Sequence, residues 1–81
     1  MKYKTFSEMN NLLRAAANIN PKNCGGKKIE DIAAAVGIST PMLYKWRSGG
    51  NISGEKFDLI LQYFSEEEPE RLEMAERLLG W

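Results

Sequence analysis

The chain has 81 residues, 43 % of them hydrophobic, with eleven basic and eleven acidic side chains, no histidine and a single cysteine. This length predicts one small domain over residues 1–81, burying about 60–65 % of its unfolded surface. There is no apolar stretch near the ~20 residues that span a bilayer, and no apolar signal-peptide core at the N-terminus. Cys24 has no internal disulfide partner, so the reading is a cytoplasmic protein of a reducing compartment that contacts no membrane.

The charges are separated along the chain. Residues 1–54 carry eight Lys/Arg against three acids, a net +5, and residues 55–81 carry three against eight, a net −5. A polyanion would be drawn to the first part and repelled by the second, which gives a docking orientation despite the zero sum.

Thr5 and Glu8 have the spacing of a capping box, and Phe6, Met9, Leu12, Leu13 and Ala16 follow at helical intervals, predicting a first helix to about Ile19. Asn20-Pro21 ends it, because the residue before a proline disfavours the α region. NPKNCGG is then read as a loop. A second helix over about 28–36 opens at Lys27 or Lys28 and closes at Gly37, where positive φ suits glycine. Ser39 caps a third helix over about 40–48, whose first turn tolerates Pro41. SGGNIS links it to a fourth helix capped by Ser53, with Phe57, Ile60, Leu61 and Phe64 on one face. The last helix covers about 69–79. A Ser65/Glu68 capping box competes there with a start at Pro69, the sterically easier choice. Its apolar positions are Leu72, Ala75, Leu78 and Leu79.

Residues 28–48 have the spacing of a helix-turn-helix. Ala33 stands at the helix crossing, where a larger side chain would push the helices apart. Ile32, Val36, Ile38, Leu43 and Trp46 take the inward positions, and Met42 fills a gap at the core edge. On the third helix Pro41, Tyr44, Lys45 and Ser48 form an opposite stripe without an acid, at the i, i+3, i+4, i+7 spacing of one face. Short hydroxyls at the helix start, an amphipathic ring and a cation suit a major-groove reader. The expected base-reading residues are Ser39, Thr40, Pro41, Tyr44 and Lys45. Lys27 and Lys28, at a helix N-terminus, are expected to meet phosphate, with Arg47, Ser48 and Asn51 against the flanking backbone.

The segment IEDIAAAVGISTPMLYKWRS resembles the helix-turn-helix of the Cro/CI-type phage repressor family, also called lambda-repressor-like, and all seven positions that family restricts hold permitted residues. Trp46-Arg47-Ser48-Gly49 is similar to its W-x-x-G segment, and SGEKFDLILQYF to its fourth helix, so the likeness covers 28–64. It implies an all-α, five-helix DNA-binding domain acting as a homodimeric transcription regulator on pseudo-palindromic operators. The loop between the first two helices is longer than usual, and Lys28 or Ile29 replaces the usual glutamine that contacts phosphate. AVGISTPMLYKWR and SEEEPERLEMAERLL also resemble the lambda-phage delayed-early activator family, which implies a tetramer. Either likeness points to phage or mobile-element gene control in a bacterium.

The expected partners are double-stranded DNA and a second copy, the latter through the last two helices with Phe64, Leu78, Leu79 and Trp81 as anchors. A rival reading is a protein-interaction module, an antirepressor, adaptor or antitoxin, favoured by the neutral sum and the acidic tail. Enzymatic function is excluded by the lack of histidine and of a nucleophile–base pair, and no metal, cofactor or small-molecule substrate is expected. Gly25-Gly26-Lys27 lacks the spacing of a phosphate loop. Single-stranded nucleic acid is disfavoured by the lack of an aromatic row beside the lysines.

Overall fold

The computed structural model describes residues 5–81 and contains six helices and, among the described residues, no strand. Lys2 and Lys4, counted above in the basic part, lie outside the described residues. The helices are α1 (Phe6–Asn18), α2 (Pro21–Cys24), α3 (Ile29–Val36), α4 (Thr40–Arg47), α5 (Gly54–Glu67) and α6 (Pro69–Leu78). None is long and apolar enough to cross a membrane.

The sixth helix is the single turn α2, inside the segment expected to be loop. Asn20 explains it: its side chain accepts from the Lys22 N–H while Pro21 sits in the first turn, so one residue both ends α1 and caps a new start. At α1 the capping box is formed, with Thr5 Oγ1 accepting from the Glu8 N–H at 3.2 Å and Glu8 reaching back to the Thr5 N–H. Pro69 does start α6. The Ser65/Glu68 box does not form, because α5 continues past Ser65.

The core gathers Leu12, Leu13 and Ala16 of α1, Ile32 and Ala33 of α3, Leu43 and Trp46 of α4, and Phe57, Ile60 and Phe64 of α5. Several inward assignments shift. Phe6 is exposed and rests on Phe57, their ring centroids 4.7 Å apart, and Val36 is only half-buried. Met42 is exposed and accepts from Lys56 Nζ through its sulfur at 2.9 Å. Tyr63 joins the buried set instead. On α6 the inward face is Arg71 and Ala75, while Leu78 is 72 % exposed.

Arg71 is the unexpected core residue, 2 % exposed. Its Nε donates to Ala16 O at 2.8 Å, Nη2 to Ile19 O at 2.9 Å and Nη1 to Lys27 O at 2.9 Å. Nη1 also meets Glu68 Oε1 at 3.1 Å, closing an ion pair that spans one helical turn. Two of these carbonyls belong to the C-terminal end of α1, where backbone donors run short and the helix dipole favours a cation. Glu68 further accepts from the Tyr63 hydroxyl and from the Lys27 N–H. Burial, then this bond, push the Tyr63 phenol well above its ordinary range, so it stays a donor. Gly26 leaves room for the group: a Cβ there would collide with Glu68 Oε1 and stand 2.9 Å from Arg71 Nη1.

The α3–α4 turn depends on Gly37, at φ 76°. Ile38 N–H then closes a six-to-one bond to Ala33 O at 3.1 Å and drops its side chain into the core. Nothing lies within 4 Å of a Cβ built at Gly37, so any penalty there is conformational and not steric.

Two outcomes follow for urea unfolding. Arg71→Ala leaves Glu68 buried without its cation and should cost about 3–5 kcal/mol; Arg71→Lys, unable to span the same acceptors, recovers only part. Gly37→Val should cost more than the ~1–2 kcal/mol of a left-handed L-residue because it is β-branched, while Gly37→Asn should lose less.

Candidate nucleic-acid interface

α4 has eight residues, too few to hold a helix alone, so its geometry is set by what it packs against. Leu43 and Trp46 are fully buried against α3 and α1. Trp46 Nε1 donates to Asn10 Oδ1 at 2.8 Å, which satisfies the indole polar atom inside the core. The C-terminal carbonyls of α4 are held by α1: Arg14 Nε donates to Trp46 O at 2.9 Å and Nη2 to Gly50 O at 3.2 Å. Asn18 Nδ2 reaches Arg47 O at 3.4 Å. Asn10, Arg14 and Asn18 recur every four residues, so one polar stripe of α1 clamps the end of α4. The sequence reading assigned that stripe no role, though its period was visible.

With its inner side and C-terminal end engaged, α4 leaves its outer side free. Ser39, Pro41, Met42, Lys45 and Ser48 are exposed there, and Thr40 is half-buried. Ser39 is the N-cap, its Oγ accepting from the Met42 N–H at 3.4 Å. Lys45 and Asn51 line a cleft of about 460 Å³ between α4 and the start of α5, together with Met42, Ser53 and Lys56. Lys56 was not among the expected cations. Its position depends on how α5 returns past α4, which no local spacing encodes.

Tyr44 departs from expectation. Instead of projecting freely, it is half-buried, and its hydroxyl donates to the Glu30 carboxylate on α3. The Arg47 guanidinium carbon lies 4.8 Å from the Tyr44 ring centroid, so the ring is sandwiched between its own helix and a cation. The bond from Tyr44 holds the Glu30 carboxyl below the usual carboxylate range, with Lys28 and Arg47 adding to the effect, and the same bond raises the Tyr44 phenol. Thus the stripe on α4 has no acid of its own, but α3 supplies one beside it. A helical wheel drawn for one helix does not include its neighbour.

The expected phosphate contacts fall into two places. Lys28 is the N-cap residue of α3, exposed, with no side-chain capping bond, and lies close enough to Glu30 to act on its charge. Lys27 is exposed, but its backbone is tied on both sides to the Arg71–Glu68 group at the α1–α6 junction. Arg47 is half-buried over Tyr44, and Ser48 and Asn51 are exposed at and beyond the C-terminal end of α4. Among the anchors expected for a second copy, Phe64 is fully buried in the core and unavailable, whereas Leu78, Leu79 and Trp81 are exposed. Of these, Leu78 lines an apolar groove of about 710 Å³ together with Ala15, Ile19 and Met74, with Arg77 and asparagines also in its wall.

Tyr44→Phe should return the Glu30 carboxyl upward toward its ordinary value, read by carboxyl-carbon NMR titration. The sign follows from the lowered value: the bond's contribution is present above the ordinary carboxylate pKa and is lost as pH falls through the folded one. An unmoved Glu30 titration would show that the two side chains are not bonded in solution.

Comparison of the chain with protein-family models, with curated proteins and with solved structures gave no match.

Proposed function

We propose that this chain is a sequence-selective duplex-DNA-binding protein that seats α4 in the major groove and regulates transcription, in the setting of a phage or mobile element. The observation that carries the proposal is the division of α4 itself. Its apolar side and C-terminal carbonyls are fully used by α1 and α3, while an outer side with no acidic residue of its own carries Ser39, Pro41, Lys45 and Ser48 into solvent. A short helix held that firmly can present side chains to base edges without further ordering. The reading also draws on the lambda-repressor-like resemblance of residues 28–64, within an all-helical chain that adds the turn α2 in the longer loop.

In this reading Lys45 reads a base edge, Lys28, Arg47 and Lys56 meet phosphates on either side of α4, and Thr40 and Tyr44 act from half-buried positions. A second copy docks through the exposed end of α6, where Leu78, which lines the groove, is joined by the exposed Leu79 and Trp81, and a higher assembly such as a tetramer is built from further contacts. The same exposed apolar end supports a second reading, a protein-interaction module that keeps the fold without reading DNA.

Selection of bound duplexes from a random pool at two salt concentrations separates them. An enriched inverted repeat supports the DNA reading and a dimer, while a pool that stays random favours the interaction module. Two substitutions should behave differently on the enriched duplex. Lys45→Ala should weaken it by about 1–3 kcal/mol and relax preference at one position, whereas Lys28→Ala should weaken all duplexes alike and lower the salt slope by about one unit.

A further inference from the structure

The bond between Glu30 and Tyr44 joins an acid to the middle of the face proposed to meet a polyanion. An exposed carboxylate there repels phosphate, so it weakens non-specific binding. Its geometry identifies a compensating role. We infer that Glu30 is a positioning residue that fixes the direction of the Tyr44 hydroxyl, so that Tyr44 presents only an acceptor to the groove and selects an amino-bearing base edge, adenine N6 or cytosine N4.

An ionised carboxylate can only accept, so the proton shared between Tyr44 and Glu30 Oε2 must come from the phenol. The Tyr44 bond itself holds the Glu30 carboxyl below its ordinary range, with the charges of Lys28 and Arg47 adding to it, so the carboxylate stays ionised. With its one proton directed at Glu30, the phenol oxygen has only lone pairs for another partner. Arg47 over the ring at 4.8 Å limits its rotation, and the half-buried ring packs against the core. Guanine O6 and N7 and thymine O4 are acceptors and would face another acceptor. Adenine N6 and cytosine N4 carry the donors that match. The carboxylate thus trades affinity for discrimination, by making the wrong edges repulsive.

This inference rests on α4 entering a major groove, and the experiment separates the two. Selection from the random pool, followed by competition binding, is carried out with the parent, Glu30→Ala and Glu30→Gln, each checked for an unchanged melting temperature. The parent should prefer adenine or cytosine at one contacted position by about tenfold. In Glu30→Ala the hydroxyl can turn to donate, so that preference should fall below about twofold while affinity for unrelated duplexes rises. Glu30→Gln keeps an acceptor for the phenol without the charge; it should show the raised affinity and retain the preference. A contact with only a structural role would give lower affinity in both variants and no selective loss at one position. A parent that enriches a duplex but shows no preferred orientation at any contacted base pair, or a Glu30→Ala protein with undiminished preference, overturns this inference alone. A parent that enriches nothing overturns it together with the proposed function.

Discussion

A buried guanidinium ties the structure together. Arg71 brings one rigid fork of donors to three backbone carbonyls and a carboxylate, drawn from the end of α1, the approach to α3 and the start of α6. The carbonyls lie at a junction of elements, and Ala16 O takes the guanidinium in addition to the Ile19 N–H. Removing a charge from water carries a penalty of several kcal/mol, met only when geometry and partners are both complete. Here they are, for among the described residues no buried side-chain nitrogen or oxygen lacks a partner. Glu68 completes the arrangement by holding Arg71, Tyr63 and the Lys27 N–H at once, and the missing side chain of Gly26 gives it space.

The consequence reaches α4 through α1. Arg71 fixes where α1 ends, and the polar stripe of α1 fixes where α4 ends. Asn10, Arg14 and Asn18 bond to Trp46, Gly50 and Arg47, so the last turn of α4 is registered against a helix that is itself anchored at its far end. Arginine plays the same part twice: a cation placed against the carbonyl end of a helix, favoured by that helix's dipole. The first helix and the last thereby determine the position of a middle element that neither of them adjoins in sequence.

What could be read from the chain divides along physical lines. Gly37, Ala33, Leu43, Trp46 and the Thr5/Glu8 capping box were legible because each depends on a few neighbouring residues and a fixed helical period. Pro69 at a helix start was legible for the same reason. Helix α2 was obscured because a proline after asparagine signals an end and a beginning equally well. Arg71 entered only the charge count, since nothing in PERLEMAERL tells a buried guanidinium from a solvated one until α1 supplies its acceptors. Phe64 and Leu78 were both named as anchors, yet Phe64 is buried and Leu78 exposed, because helix period gives relative phase and not which side meets the core. Tyr44 was legible as lying on the face opposite Leu43, but its partner Glu30 comes from another helix. The candidate site was therefore readable residue by residue within α4, while the bonds that orient those residues were not.

The distribution of charge bears on how such a surface could work. The chain as a whole is neutral, and the acids concentrate on α5 and α6, away from Lys28, Lys45 and Arg47. Lys28, Arg47 and Lys56 border α4 beside Lys45, so in the proposed complex phosphate attraction supplies part of the affinity but does not select the sequence. Recognition would then depend on the fit of side chains to base edges, and fit is weakened by every side chain still free to rotate. The surface is consistent with that demand: Ser39 is fixed as a cap, Pro41 has no rotor to lose, Tyr44 is held by Glu30, and Arg47 lies across Tyr44. Lys45 is exposed at the edge of the cleft shared with Lys56. A strongly basic face would gain affinity for every sequence alike, whereas a nearly neutral face with constrained side chains binds appreciably only where the match is good.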